Sequence, residues 1–517
     1  MNSYLIHHFL EAHAQTTPEQ LACIHGHEIV TYGEMERQAN RIARLLQELG
    51  VRRGDRVTVL IENSSAYIAA YYGILKCGGV AVAMYATTTA KTLAYILNDC
   101  EVGVALTLSK HQALFGELYE QLPKLRAVVL LDVANHENEI DRHAWKIFTS
   151  QHLAPQPDTP LDLPVIDLNL ASIIYTSGST GEPRGAMLSH LNIVTNTRSI
   201  VSYLGLTAQD RIMVVLPFPY VYGKSLLNTH MAVGATVIID NRFVFPNVIL
   251  KTMQEKAATG FAGVPSTYAI LLGKSAVRKM EFPALRYLTQ AGGAMAPTSI
   301  RDVIEVFGGK RIFIMYGATE AAARLSYLPP EDLPAKVGSI GLPIPNVELR
   351  LIKDDGNEAG PDEVGEIVAA GANIMQGYWN QPEETKAVLT KHGFHTGDLG
   401  RKDEESFFYI VGRKHDMIKS AGNRVSAKEI EEIILEHPNI LETAVIGVPD
   451  QYIGEAICAF IVPKNGMLVS SDELIAFCKT RLPEYKVPRA VIVRESLPKN
   501  AAGKIMKEEL RQEQTRT

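Results

Sequence analysis

The chain has 517 residues, 46% apolar and 21% charged, which exceeds the size at which one core keeps growing and predicts at least two domains of an ordinary globular protein. Its net charge of −6 leaves no basic footprint for nucleic acid. Five cysteines without a C-x-x-C spacing indicate neither a disulfide framework nor a zinc site, and neither a secretion signal nor a run of roughly 18 apolar residues is present, so a soluble protein of the reducing cytoplasm is expected.

From about residue 33 to 325, short apolar strands at Val57–Ile61, Ala127–Leu131, Ile212–Leu216, Thr236–Ile239 and Arg311–Met315 alternate with longer amphipathic stretches. That alternation predicts α/β layers with largely parallel sheets. Between them, the buried strand Ala171–Ile174 runs into YTSGSTGEPRG at Tyr175–Gly185. Gly178, Gly181 and Gly185 let the backbone turn tightly against an anion, Thr176, Ser177, Ser179 and Thr180 add hydroxyl donors, and Arg184 adds a forked cation. The combination suits nucleotide phosphates, yet it is not the common ATP loop, because no Gly-Lys-Ser/Thr occurs at the spacing which that loop requires.

Further along, Gly292-Gly293 in AGGAMAP allow a ligand to lie against bare backbone. Glu320 ends YGATE directly after the strand Arg311–Met315, at the sheet edge where open α/β folds bind ligands. Beyond Val337, VELRLI and VGEIVAAG flank Asp354–Gly356 and predict a small antiparallel unit. After Arg413 comes a compact α+β segment of about a hundred residues. Its helix, Ala427–Glu436, opens with a Ser426/Glu429 capping box, and strands TAVIGVP, AICAFIVP and AVIVRE follow. The chain ends thirteen residues after Lys504, which predicts a stand-alone protein without a fused carrier domain.

Seven segments in order, YTSGSTGEPRGAMLSH, AGGAMAP, YGATE, GYWNQPEET, FHTGDLG, GRKHDMIKSAGNR and LPKNAAGKIMK, resemble the motifs of the adenylate-forming family of acyl-CoA synthetases, luciferases and stand-alone adenylation domains. The resemblance covers nearly the whole chain. It implies a large domain over 1–413, of two layered α/β sheets and a small β unit, with a mobile lid over 414–517. It implies activation of a small-molecule carboxylic acid with ATP and Mg²⁺, then transfer to coenzyme A or to the phosphopantetheine of a separate carrier protein, with no nucleic acid or integral membrane partner. By the same resemblance Glu320 holds Mg²⁺ and Thr319 donates to the α-phosphate. The nucleotide site takes residues 176–181, Arg184, Gly292, Gly293, Ala294, Tyr316, Gly317, Asp398 as the ribose acceptor with Arg413 as its partner, and Arg424. Lys504 reaches from the lid to bridge the acid and the α-phosphate, and Gly422 marks the pantetheine path.

Two positions depart from that pattern. Arg184 stands where the loop usually carries Lys, which keeps the charge but exchanges an ammonium for a planar fork. His415, two residues after Arg413, stands at the hinge where the family usually has Asp or Lys. The acyl pocket is assigned to Phe218, Tyr220, Tyr222, Gly223 and Gly317. Leu216–Gly223 contains no acidic residue to pair with an α-ammonium group, so an apolar or aromatic carboxylate is expected. Lys224 reads as a surface salt-bridging residue or, failing that, as a partner for a second polar group of the substrate.

Overall fold

A computed structural model describes residues 3–133, 145–177, 183–420, 422–450, 452–464, 466–500 and 503–515. Two large sheets dominate. The first has nine strands, in the order Leu342–Pro343, Ser326–Leu328, Arg311–Tyr316, Tyr287–Gln290, Gly260–Gly263, Arg211–Val214, Thr236–Ile239, Leu21–His25 and Glu28–Thr31. Its strands from Leu21–His25 to Arg311–Tyr316 are parallel and the outer ones antiparallel. The second has seven strands, in the order Lys146–Thr149, Ala127–Leu130, Val104–Thr107, Arg56–Leu60, Val80–Met84, Leu170–Ser177 and Pro183–Ser189, parallel except for its last pair. Ala127–Leu130, Val104–Thr107 and Tyr287–Gln290 are buried at every position, as parallel strands covered on both faces must be.

One core runs between the two sheets, built from helices Tyr32–Glu48, Ser65–Lys76, His190–Leu204 and Val221–Val233. Helices Pro246–Glu255, Pro265–Lys274 and Pro297–Val306 cover the outer face of the nine-stranded sheet, and Ala90–Asp99 that of the seven-stranded one. The expected strands appear with ends shifted by one to three residues. Arg56–Leu60 stands for Val57–Ile61 and Arg211–Val214 for Ile212–Leu216.

Val347–Ile352 and Gly365–Gly371 pair antiparallel as expected and join Leu389–Thr390, Gly393–Lys402 and Phe408–Arg413 in a five-stranded sheet. A last five-stranded sheet follows Arg413, with Asn423–Ser426, Met417–Ser420, Gly454–Pro463 and Ile440–Asp450 in order and Ala490–Val493 beside Gly454–Pro463. Its helix spans Ala427–Leu435. The expected capping box is only half made: Ser426 Oγ accepts from the Glu429 N–H, while the Glu429 carboxylate turns instead to Lys486 Nζ at 2.6 Å. Among the described residues, no helix is long and apolar enough to cross a membrane.

Candidate active site

The sequence motifs converge at the C-terminal ends of the parallel strands. Strand Arg311–Tyr316 ends in Tyr316, whose hydroxyl donates to Asp398 Oδ2 at 2.7 Å. Asp398 sits on Gly393–Lys402 directly opposite Arg413 in the antiparallel register, and the Arg413 Nε donates to its Oδ1 at 2.9 Å, the expected pairing. The carboxylate is thus buried and fixed by two donors, with lone pairs left on each oxygen for further hydroxyls.

Glu320 lies in a 3-10 turn, Thr319–Ala321, that follows the strand. Its backbone carbonyl accepts from Met375 N at 2.8 Å, and its Oε1 accepts from the Tyr378 hydroxyl at 2.8 Å. Among the described residues no protein donor engages Oε2. One oriented carboxylate with a free oxygen fits a hard cation that keeps most of its water, so the residues present are compatible with Mg²⁺. Tyr378, on the GYWNQPEET segment, is a member of the site that sequence reasoning missed, although the motif containing it was visible.

Arg184 stacks on the Tyr378 ring, with Cζ 4.9 Å from its centre, and its Nη1 pairs with Glu384 Oε2 at 2.7 Å. The cation is therefore held beside the Glu320 neighbourhood by a carboxylate of the chain. Thr176 ends the preceding strand opposite it. Gly178, Ser179, Thr180, Gly181 and the side chain of Ser177 lie outside the described residues.

Close approach explains the glycines that matter. A Cβ on Gly317 would lie 2.0 Å from the Ala323 carbonyl oxygen, and one on Gly292, whose φ is +86°, would lie 2.5 Å from the Tyr220 hydroxyl. AGGAMAP and the aromatic segment are thereby brought together, with Gly293 and Ala294 exposed beside them. Tyr222 is buried, its hydroxyl 2.7 Å from Thr289 Oγ1. Phe218 packs into the core against Tyr67, with ring centres 5.1 Å apart, and Gly223 is needed because a Cβ there would strike the Pro217 carbonyl at 2.0 Å.

Lys224 is not on the surface. It is 2% exposed on a helix covered by both large sheets, its Nζ donates to the Tyr67 hydroxyl at 2.5 Å, and burial drives its pKa well below the ordinary lysine value. No carboxylate among the described residues pairs with it.

From the other side, Lys504 comes in on a tight turn in which Asn500 Oδ1 accepts from the Lys504 N–H and Asn500 N donates back to the Lys504 carbonyl. The turn is fastened to the large domain by Ser266 Oγ, which donates to the Gly503 carbonyl at 3.0 Å. The Lys504 pKa falls to about 8, first because of the Arg413 guanidinium and then because the surrounding atoms of the site desolvate the ammonium, with Asp398 and Asp416 opposing. Lys504, Arg413 and Asp398 thus form one electrostatic group. His415 is exposed in the turn between Phe408–Arg413 and Met417–Ser420. Gly422 tips the next hairpin with φ +79° and open space around it. Arg424 extends towards Asp354, 3.8 Å away, instead of joining the Asp398–Arg413 pair.

The model for AMP-binding enzymes matches residues 10–379, and that for the AMP-binding enzyme C-terminal domain matches 429–504. The chain belongs to the AMP-binding enzyme family. It is 33% identical over 510 residues to a long-chain-fatty-acid–CoA ligase of Bacillus subtilis (strain 168), covering 94% of this chain and 90% of that one. It is 34% identical over 500 residues to a feruloyl-CoA synthase of an Amycolatopsis species, covering 96% of both. The structure is similar to the anthranilate CoA ligase AuaEII in complex with anthranoyl-AMP, at TM-score 0.90 and 26% identity over 99% of this chain and 97% of that one. It is also similar to ATP-bound MatB from Rhodopseudomonas palustris, at TM-score 0.88 and 27% identity over 99% and 98%. Within the AMP-binding family, the chain is an AMP-forming acid–CoA ligase that uses ATP.

Proposed function

We propose that this enzyme converts a carboxylic acid lacking an α-ammonium group into its acyl-adenylate and then into a thioester of free coenzyme A, in the cytoplasm. The observation that carries the residue assignment is the docking of the Lys504 turn onto the large domain, where Ser266 Oγ donates to the Gly503 carbonyl at 3.0 Å and the lysine comes within the electrostatic reach of the Asp398–Arg413 pair. Asp398, held by Tyr316 and Arg413, accepts from the ribose hydroxyls. The Lys504 ammonium lies next to that group, where it can bridge the acid's carboxylate and the α-phosphate as charge develops on both sides of the phosphorus. Thr319 donates to the α-phosphate, and Gly292 and Gly317 keep the backbone bare where nucleotide and acyl group meet. Glu320, oriented by Tyr378, holds Mg²⁺, which when bound neutralises charge on the phosphates.

The lid is proposed to begin after Arg413, with 1–413 as the large domain and 414–517 turning about His415. That turn withdraws Lys504 and presents the Gly422 hairpin to the pantetheine thiol. Free CoA is favoured over a carrier protein because three of the relatives reported above are named as CoA ligases or synthases. A screen of carboxylic acids by pyrophosphate and AMP release, with and without CoA, tests the reading. Acid-dependent exchange of pyrophosphate together with CoA-dependent AMP release is expected, whereas AMP release that needs a carrier protein and ignores CoA refutes the choice of acceptor.

A further inference from the structure

Among the described residues three cationic side chains are buried, Lys76, Lys224 and Arg324. Lys76, 1% exposed at its side chain, meets both Glu11 and, at 2.7 Å, Glu36. Lys224 and Arg324, each 2% exposed, differ from it, because no carboxylate among the described residues pairs with either. A lysine can resolve this by losing its proton to solvent, the direction in which burial drives Lys224. An arginine cannot, since its guanidinium stays charged at any physiological pH.

All the protein partners of the Arg324 guanidinium are neutral. Its Nε donates to Met315 Sδ at 3.3 Å and its Nη1 to the Ala323 carbonyl at 3.0 Å. Its Cζ lies 4.1 Å from the centre of the Tyr222 ring, and its charge reaches the Tyr203 and Tyr220 hydroxyls. Stacking of this kind offsets only part of the cost of burying an ion.

The backbone is bent to place the cation there. Ala322 and Ala323 have φ of +52° and +118°, and the Ala323 carbonyl occupies the space left by the missing side chain of Gly317. The Arg324 carbonyl is then clamped by Asn196 Nδ2 and Asn373 Nδ2, each at 2.9 Å. Strain of this order persists where surroundings enforce it, as at ligand clamps. The aromatic segment contributes to the surroundings of the guanidinium: Tyr222 lies beneath it, and Tyr220, 6.3 Å from Tyr222 between ring centres, has its hydroxyl against Gly292.

We propose that Arg324 is a specificity-determining residue and that the preferred substrate carries a second carboxylate, distal to the one activated, which supplies the anion missing from the guanidinium. The inference rests on the acid–CoA ligase activity and on the acyl pocket assigned above.

The test compares α,ω-dicarboxylic acids of increasing length with methyl-terminated monocarboxylic acids of equal length, by CoA-dependent AMP release. For one length, the diacid is expected to exceed its monoacid in kcat/KM by at least ~10²-fold. Arg324→Leu should abolish or invert that ratio, and Arg324→Lys should keep part of it. A purely structural role would lower both acids alike and leave the ratio unchanged, which overturns the proposal. If Arg324→Leu does not fold, the wild-type ratio decides alone: a monoacid equal to or better than every diacid overturns it. Failure of every acid to release AMP would remove the acyl pocket assignment and the inference with it, an outcome distinct from activity without preference.

Discussion

Lys504 offers the sharpest test of the catalytic assignment, because its surroundings give it a titration that an ordinary lysine lacks. With Arg413 lowering its pKa to about 8, the ammonium is roughly 90% charged at pH 7 but only about 9% charged at pH 9, whereas an ordinary lysine would stay about 97% charged there. Lowering favours the neutral amine, so activity that needs the charge is lost on the alkaline side. The kcat/KM of acid-dependent pyrophosphate exchange should therefore fall about tenfold from pH 7 to 9, and about tenfold more per further unit. Bound ATP adds negative charge to the same group, so the corresponding limb in kcat should lie at higher pH. Lys504→Arg should carry its plateau beyond pH 9. Lys504→Ala should lose at least ~10²-fold in adenylation and lose the limb as well, while thioester formation from supplied acyl-adenylate is largely spared. A limb near pH 8 that survives in Lys504→Arg, or equal damage to both half-reactions in Lys504→Ala, would refute the assignment.

Tyr378→Phe removes the one donor to Glu320 Oε1 among the described residues and should raise the Mg²⁺ concentration needed for half-maximal exchange by about 10–100-fold with little change in the KM for the acid; an unchanged Mg²⁺ dependence would detach Glu320 from the metal. For Lys224→Met, the sign follows from burial. The folded-state pKa lies below the unfolded one, so the unfolded chain binds more protons between the two, and wild-type stability should rise with pH through that window by up to about 1.4 kcal/mol per unit. Denaturant titrations at pH 6 and 9 should show the variant losing this slope, and an identical slope in both proteins would mean that Lys224 stays charged. Proline fixes φ near −65°, so His415→Pro should leave one half-reaction nearly intact and cripple the other; a variant normal in both would move the hinge elsewhere.

The layered sheets and the motif order were legible because both are local: apolar runs mark covered strands, and the glycines and acids of each motif stand together in sequence. What lay hidden depended on which faces a second layer covers. Lys224 reads in sequence as a surface salt-bridging residue, but helix Val221–Val233 lies in the core between the two sheets and leaves the ammonium no exit. Arg324, after three alanines, carries no motif of its own, and its position is set by a bend held by the Gly317 contact, two asparagine clamps and backbone hydrogen bonds such as Leu325 N to the Tyr316 carbonyl. Arg184 reads in sequence as a forked cation for phosphates, yet a carboxylate 200 residues downstream pairs with it. The Ser426/Glu429 box failed for the same reason: Lys486, remote in sequence, competes for the glutamate and wins through charge.

The fit of the Ala323 carbonyl into the space above Gly317 also sets the directions in which this enzyme can diverge. Any side chain at 317 must displace a peptide unit by well over an ångström, and that peptide links the glutamate assigned to the cation with the arginine assigned to the acid. Position 317 is therefore closed to drift. Positions 220, 222 and 324 contribute side chains to the same neighbourhood without a backbone atom filling the place of a missing Cβ. New acids can be explored there one residue at a time while Thr319 and Glu320, five and four residues before Arg324, keep the roles assigned to them.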